Sequence, residues 1–499
     1  MARVRIKVAS GAPGPRVERH VFGHFIEHLG RCVYDGLWVG EDSPVPNVRG
    51  WRRDAVEALR AIGAPNLRWP GGCFADDYHW RDGVGPRAAR PRGVSAWWGA
   101  PEPNTVGTQE FLDLCAATGA EPYFCGNVGS GMVQEMRDWV EYLNVPAGAS
   151  TLADLRAAHG RRDPAGVRLW AVGNESWACG GNMRPEYYAD LYRRFATFLK
   201  DFPGAPLWRV GCGPRDDDYT WTEVMMRTCG RPLLGGQRLM QALALHYYCV
   251  PGDFPPSRSA TRFGEEDWDE LMARTARMEE FVAGHSAIMD RHDPERYVAL
   301  AVDEWGAWHA PEPGTPRGHF YQQGTVRDAV MAGYTLNTFI RHAARVRLAN
   351  LAQTANVVHA LFLTDGPRLL RTPTWDVFAL YRGHHDALAL PVEVDGAGER
   401  AWAGRRYPAM SAAASVAADG AVTLTLCNLD YARPASVAVE CGGLAAAGAR
   451  GLWSAAPQDH NTFDVPDAVR ARTVASPVRS GAAWETELPP HSVTTLTFR

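Results

Sequence analysis

The sequence predicts a (β/α)8 barrel of the TIM type carrying a C-terminal antiparallel, jelly-roll-like β-sandwich, an α/β fold with an all-β annex. Three observations carry this. From residue 20 to about 385, short apolar runs alternate with amphipathic segments whose apolar residues recur at helical spacing. Eight such units fit that stretch and no G-x-G-x-x-G follows an early strand, which favours a closed barrel over an open dinucleotide-binding sheet. After residue 388 the helical pattern gives way to short β-rich runs separated by Gly, Pro and Ala.

The eight expected barrel strands are HVFGHFIE (20–27), NLRWPGG (66–72), EPYFCGNVG (121–129), VRLWAVGNE (167–175), LWRVGCG (207–213), QALALHYYC (241–249), YVALAVDEWG (297–306) and VRLANLAQTANVV (346–358). Between them, GTQEFLDLCAATGA opens with Thr108 ahead of Glu110 and stops at Gly119, and MRPEYYADLYRRFATFLKDF carries Pro185 in its first turn, both regular helix boundaries. In the C-terminal part, AVTLTLCNLD, ASVAVECGG, TVASP and SVTTLTFR read as sandwich strands. The expected organisation is residues 1–19 as a strand joining the sandwich, 20–387 as the barrel and 388–499 as the sandwich. Two Gly/Pro-rich insertions, 82–106 and 307–324, follow the second and seventh strands and should overhang the catalytic face, with Trp97 and Trp98 available to stack on a sugar chain or to anchor the loop.

Composition narrows the function classes. A chain of 499 residues, 46% hydrophobic and 22% charged, with a formal charge of -4, has neither the basic stripe that a nucleic-acid backbone needs nor a charged tail. No stretch of roughly 18 apolar residues occurs, and MARVRIKVAS alternates like a strand instead of resembling a signal peptide, so the expectation is a soluble, cytoplasmic protein with no membrane or nucleic-acid partner. Ten scattered cysteines without a C-x-x-C pair form neither a zinc pattern nor a dense disulfide scaffold, and most are expected to be reduced, buried thiols.

In a barrel, polar residues at the C-terminal strand ends converge on one pocket. Here they are Glu27, Arg68 with Cys73 just beyond, Asn127, Asn174 with Glu175, His246 with Tyr248, Asp303 with Glu304, and Gln353 with Asn356. Glu175 and Glu304, each directly after an apolar strand, can face one another across the mouth as glycoside hydrolysis requires, one as a proton donor and one as a carboxylate. A separation of roughly 5 Å implies retention of configuration, and about 6.5 to 9.5 Å implies inversion. Asp303, adjacent to Glu304 on a strand, is expected on the opposite side of the pleat.

Taken together, GHFIEHLG, LRWPGGCF, EPYFCGNVG, VGNES, LHYY, VDEW and LAQTANVV resemble the family 51 α-L-arabinofuranosidases of clan A, whose acid/base and nucleophile follow barrel strands four and seven. The resemblance runs from the first strand through the eighth in matching order. It implies Glu175 as acid/base, Glu304 as nucleophile, and Tyr248 orienting Glu304. It further implies Glu27, Cys73, Asn174 and Gln353 holding the furanose hydroxyls, Arg68 beside the nucleophile and Trp308 walling the sugar site. His246, one strand before, either helps fix the nucleophile's surroundings or is a satisfied core histidine. No metal or organic cofactor is implied, the substrate class is arabinofuranosyl-bearing oligosaccharides, and the likeness suggests a homo-oligomer. The sequence departs from better-known members at SWACGGNM, after Glu175, where many relatives carry Met-Asp-Gly-Pro-Trp, and at Val106, where an aromatic is common. Those positions bear on the aglycone and leave the acid/base assignment standing.

Three competing readings remain at this level. A β-xylosidase or β-glucanase of the same clan would share both carboxylates. A metal-dependent amidohydrolase-like barrel would use His24 and His28, although four-residue spacing puts two histidines on one face only in a helix and GHFIEH reads as strand. A non-catalytic sugar-binding protein would have little use for both glutamates.

Overall fold

The computed structural model describes residues 3–9, 13–233 and 235–499. Residues 1, 2 and 10–12 of the expected N-terminal segment lie outside the described residues. Strand β1 (Val4–Val8) precedes the barrel, whose eight parallel strands are β2 (Gly23–Phe25), β3 (Asn66–Trp69), β4 (Glu121–Gly126), β5 (Leu169–Val172), β6 (Trp208–Gly211), β7 (Ala242–Cys249), β8 (Ala299–Ala307) and β9 (Val346–Ala352). They close in chain order, β9 pairing with β2. All eight predicted barrel strands are present; most are shorter than the apolar runs because their closing polar residues turn out into loops, but β7 keeps the predicted end at Cys249 and β8 runs to Ala307, one residue past its predicted end. HVFGHFIE is the extreme case: its first residues form a 3-10 turn, leaving a three-residue strand.

The helices among the described residues are α1 (Arg53–Ile62), α2 (Thr108–Thr118), α3 (Val133–Asn144), α4 (Thr151–Ala158), α5 (Pro185–Phe198), α6 (Tyr219–Cys229), α7 (Glu265–His292), α8 (Val326–Arg341) and α9 (Pro373–Leu380). α2 begins one residue after Gly107, whose backbone N–H donates to the Glu110 carboxylate at 2.9 Å, and stops at Gly119, which takes the left-handed conformation at φ 80°. No helix among the described residues is long and apolar enough to cross a membrane. The barrel interior below the catalytic end is filled by small and aliphatic side chains, including Ala171, Val210, Ala242, Ala244, Ala299, Ala301 and Leu348.

The sandwich is built from β10 (Leu388–Leu390), β11 (Val392–Asp395), β12 (Met410–Val416), β13 (Val422–Asn428), β14 (Ala435–Glu440), β15 (Ala446–Leu452), β16 (Arg472–Thr473), β17 (Val478–Ser480), β18 (Ala483–Leu488) and β19 (Ser492–Phe498). One sheet runs β11-β1-β14-β18-β17 and the other β10-β12-β13-β19-β15-β16. β1 alternates buried and exposed residues, placing Val4, Ile6 and Val8 against the inner face. It pairs antiparallel with β11 but parallel with β14, an exception to the expected antiparallel pattern; no hairpin joins β1 to β14, so turn geometry does not impose their direction. Among the described residues, β10, β11, β12, β15, β17 and β18 had no counterpart among the expected runs, and of the expected TVASP strand only Thr473 lies in a strand, β16; AAGARGL and AWETEL are too short of β-branched residues to stand out.

α8 joins the two units. It is buried all round from Val326 to Ile340, since one face meets the barrel and the other meets β12, β13 and β19. Asn337 on this helix donates to Ser411 Oγ at 3.2 Å and accepts from the Tyr381 hydroxyl at 2.8 Å and the Thr425 hydroxyl at 2.7 Å. Replacing Asn337 by Ala strands these buried partners and is expected to destabilise the chain by about 1–3 kcal/mol. Chemical denaturation checks this; an unchanged midpoint would show that the network does not tie the units together.

Candidate active site

The catalytic end of the barrel is organised around Arg68, an inward-facing residue of β3 only 1% exposed. A buried guanidinium is tolerable only when its donors are engaged. Its Nη1 donates to Glu304 Oε1 at 2.7 Å, its Nη2 to Asn174 Oδ1 at 2.8 Å, and its Nε lies 3.4 Å from Asp303 Oδ2. Its plane also sits 4.7 Å above the Phe25 ring. Glu304 completes its pairing at Oε2, which accepts from the Tyr248 hydroxyl at 2.9 Å.

Asp303 does not point away from this cluster, as strict pleat alternation requires. From Val302 to Trp305, β8 advances three residues while β9 advances two, and the pairing with β7 shifts at the same level. The extra residue is a bulge, and it turns Asp303 and Glu304 both into the barrel. Asp303 accepts from the Tyr123 hydroxyl at 2.7 Å and is 3.1 Å from His246 Nε2. Burial works against its charge, yet Arg68 and His246 outweigh that and hold its carboxyl below the usual range.

Glu175 follows β5 in a turn that begins at Gly173 and holds Glu175 itself at φ 36°, a left-handed conformation costing about 1–3 kcal/mol for a non-glycine residue. The turn is over-determined. Asp76 accepts from the backbone N–H of Asn174, Val128 and Gly129, and Gly180 N–H donates back to Glu175 O at 3.1 Å. Burial pushes the Asp76 carboxyl up to about 7 against those three donors. Any side chain at Gly180 would collide with Asn174 O, the added Cβ falling 2.0 Å from it.

The Glu175 carboxyl meets His246 Nδ1 at 3.0 Å, and one of its oxygens lies within 4.8 Å of one on Glu304. Burial raises its proton affinity and Glu304 adds to this, while His246 opposes it. His246 itself is disfavoured as a cation by burial, but Glu304, Asp303 and Glu175 push it up to about 10. Glu27 accepts from Gly72 N–H at 3.0 Å, Phe74 N–H at 3.2 Å and Gln353 Nε2 at 2.7 Å; burial and the nearby Glu304 raise it to about 8.

These groups open into a cavity of about 380 Å³ lined by Glu27, Cys73, Glu175, His246, Tyr248, Glu304 and Gln353. Trp98, Phe320 and Trp308 wall one side, the Trp308 ring lying 5.3 Å from Phe320 and 5.4 Å from Tyr248. Trp177, Arg215 and Phe254 line the same cavity. Thus both insertions reach the pocket, through Trp98 and through Trp308 and Phe320, whereas Trp97 is exposed and does not line it. A larger cavity of about 840 Å³ lies at the opposite end of the barrel, where Arg16 pairs with Asp386 and Arg168 with Glu121. It lies away from the strand ends where Glu175 and Glu304 meet, and arginines hold its Asp386 and Glu121 carboxylates.

The structure thus gathers Glu27, Arg68, Cys73, Asn174, Glu175, His246, Tyr248, Glu304, Trp308 and Gln353 around one pocket. Asn127 and Asn356 are elsewhere: Asn127 staples the turn at Ser130 and Gly131, and Asn356 bonds Arg31 O and Thr364. Val106 is buried in the core with no place on the leaving-group side. Cys73 requires a correction. It is not a free thiol but is bonded to Cys179, 106 residues away, while the other eight cysteines are free and buried. Asp76, Tyr123 and Cys179 are the residues sequence reasoning missed; only the unusual SWACGGNM stretch hinted at one of them.

Among the described residues, the groups whose metal-ligand atoms converge are Cys73, Glu175 and Cys179, and Glu175, His246 and Glu304. In the first the sulfurs are bonded to each other instead of being thiolates, and in the second both ring nitrogens of His246 are taken by carboxylates. His24 and His28 join neither set. His24 is buried against Phe378, desolvation pushing it down to about 3, and His28 lies between Glu102 and the Trp69 indole N–H.

Comparison with known proteins agrees with this geometry. The family model described as alpha-L-arabinofuranosidase 1 domain matches residues 58–207, and that described as alpha-L-arabinofuranosidase C-terminal domain matches residues 303–492. An intracellular exo-alpha-L-arabinofuranosidase of Bacteroides ovatus is 41% identical over 96% of this chain and 92% of its own. The chain belongs to the family 51 α-L-arabinofuranosidases. Within the family, the GH51 arabinofuranosidase crystal structure from Xanthomonas axonopodis pv. citri superimposes with a TM-score of 0.96 at 44% identity, covering all of both chains. The Thermotoga maritima α-L-arabinofuranosidase, solved as an arabinose complex, gives a TM-score of 0.86 at 27% identity over 99% of each chain. These relatives do not favour the β-xylosidase, β-glucanase or metal-dependent readings.

Two outcomes test the geometry. A Cβ on Gly72 would lie 2.8 Å from Glu304 Oε1, so Gly72→Ala should lower kcat/KM by about tenfold or more with the unfolding temperature nearly unchanged; wild-type kcat/KM would contradict the packing. The raised folded values of Glu27 and His246 mean that the folded chain holds both protons more tightly than the unfolded one. Each contribution is complete below the unfolded value and is lost as pH climbs to the folded one, from 4.5 to about 8 for Glu27 and from 6.5 to about 10 for His246. The unfolding temperature should therefore fall from pH 6.5 toward 9, and less steeply in His246→Asn. A flat profile over that range would refute the assignment.

Proposed function

We infer that this protein is a retaining, exo-acting α-L-arabinofuranosidase that removes terminal arabinofuranosyl units from arabinoxylan- or arabinan-derived oligosaccharides. The observation that carries the reading is the pair Glu175 and Glu304, from the ends of barrel strands four and seven, with carboxylate oxygens within 4.8 Å at the floor of one small pocket. That spacing is nearer the roughly 5 Å of retaining enzymes than the 6.5 to 9.5 Å that accommodates a water.

Glu304, held by Arg68 and Tyr248, attacks the anomeric carbon while Glu175 protonates the departing glycosidic oxygen. The covalent arabinofuranosyl-enzyme is then hydrolysed by a water that Glu175 deprotonates. Arg68 and a protonated His246 balance the charges of Asp303 and Glu304, and the raised proton affinity of Glu175 supplies the acid. Asn174 Oδ1 accepts from Arg68, and its Nδ2, whose neighbour in the protein is Cys179 Sγ at 3.8 Å, is the atom assigned to the sugar 2-hydroxyl. Glu27 and Gln353, whose Oε1 has no partner among the described residues, hold the remaining furanose hydroxyls. Cys73 borders this sugar site as half of a disulfide. Trp308 walls it, and the aromatic closure on that side supports exo action on a single terminal unit.

The similarity to the intracellular exo-alpha-L-arabinofuranosidase of Bacteroides ovatus supports exo action and an intracellular place of work; a cytoplasmic enzyme of this kind would act on imported fragments. Family likeness supports a homo-oligomer, which sedimentation equilibrium would measure. Glu304→Ala should be inactive on an aryl α-L-arabinofuranoside and yield the β-arabinofuranosyl azide when azide is added. Glu175→Ala should lose about 10²–10⁴-fold with a poor leaving group, much less with an activated one, and give the α-azide. Exchanged azide anomers, or full activity in either variant, would refute these roles.

A further inference from the structure

The disulfide stands at the rim of the catalytic pocket, between the loops that follow β3 and β5. Both sulfurs face the same atom: Glu175 Oε2 is 3.9 Å from Cys73 Sγ and 3.6 Å from Cys179 Sγ. A bonded sulfur has no hydrogen to give. Among the described residues, Oε1 has His246 as its partner and Oε2 has no N–H or O–H donor. Oε2 is therefore the oxygen free to carry the proton for the leaving group, against a wall that does nothing to stabilise its charged form.

Breaking the bond changes that wall. A dithiol reductant delivers two electrons and two protons, becoming a cyclic disulfide, while Cys73 and Cys179 become thiols. Thiols beside a carboxylate stay protonated, and each can donate an S–H to Oε2, which favours the carboxylate. Meanwhile the cross-link holding the left-handed turn at Glu175 is released.

We propose that the Cys73–Cys179 disulfide positions the acid/base Glu175 and, by withholding donors from Oε2, keeps it a proton donor at neutral pH, so that reduction of this bond weakens general-acid catalysis. The inference rests on Glu175 being the acid/base. The other groups facing Glu175 are common to both redox forms: Glu27, Arg68, Cys212, His246, Tyr248, Asp303 and Glu304.

The test uses the full chain in four forms: oxidised, reduced with dithiothreitol, the Cys73→Ala/Cys179→Ala double variant and the Cys73→Ser/Cys179→Ser double variant. The pH dependence of kcat/KM is measured on an arabinofuranosyl xylo-oligosaccharide, a poor leaving group, and on a dinitrophenyl arabinofuranoside. Reduction and the Ser pair, which both offer donors, should move the alkaline limb on the poor substrate down by about one unit, the size of one or two net hydrogen bonds. The Ala pair, which offers no donor, should keep the alkaline limb of the oxidised chain whatever its absolute rate, and on the activated substrate the limb should move less in every form, since that substrate needs little protonation. A limb common to all four forms, or Ala and Ser pairs moving together, would overturn the proposal and leave the bond a plain cross-link. Reduction of the wild-type chain gives a reading even if a double variant fails to fold. An infrared titration of the Glu175 carboxyl band, identified by its loss in Glu175→Gln, reads the same shift without turnover. It thereby separates failure of this proposal from failure of the acid/base assignment, which would appear as an equal loss on both substrates in Glu175→Ala.

Discussion

A guanidinium buried inside a barrel sets the terms for the whole catalytic end. Arg68 is out of reach of bulk water, so its charge is tolerated only because Glu304, Asp303 and Asn174 come to it. The dependence is mutual. Two adjacent carboxylates could not remain ionised in that interior without a cation between them, and removing one member of such a buried set typically costs about 3–5 kcal/mol. In meeting its own requirement, Arg68 draws the ends of barrel strands two, four and seven to a common point.

The neighbouring backbone is shaped to the same end. The bulge between Val302 and Trp305 lets one strand present two consecutive acids, one to anchor the cluster and one to face the cavity. The left-handed turn at Glu175 aims its carboxyl inward, and Asp76 holds that turn through three backbone donors. Strain in one loop is thus offset by hydrogen bonds from another. The bulge and the turn together oppose a carboxyl buried with a like charge to one held by Arg68 and Tyr248, the division of labour that acid and nucleophile need.

The two units of the chain are not merely adjacent. α8 is buried on every face because it meets the barrel and the sandwich at once, with Asn337 and Tyr381 satisfying polar groups trapped between them. The insertion that supplies Trp308 and Phe320 leads directly into this helix, so one wall of the pocket is continuous with the seam between the units.

What the sequence determined by itself was the alternation of strands and helices, the change to a β-rich C-terminal part, and the polar residues at strand ends, because burial imposes a periodicity that survives in the linear chain. Glu175, Glu304, Arg68 and Tyr248 were legible for that reason: in a closed barrel every strand end faces one axis. The facing of Asp303, the bonding of Cys73 to Cys179 and the role of Asp76 were decided only by tertiary structure. A bulge depends on the register of two neighbouring strands, a disulfide on the approach of loops 106 residues apart, and a carboxylate's backbone partners on which N–H groups another loop leaves unpaired. None of these leaves a local pattern, since each is a property of the closed barrel and not of any one segment.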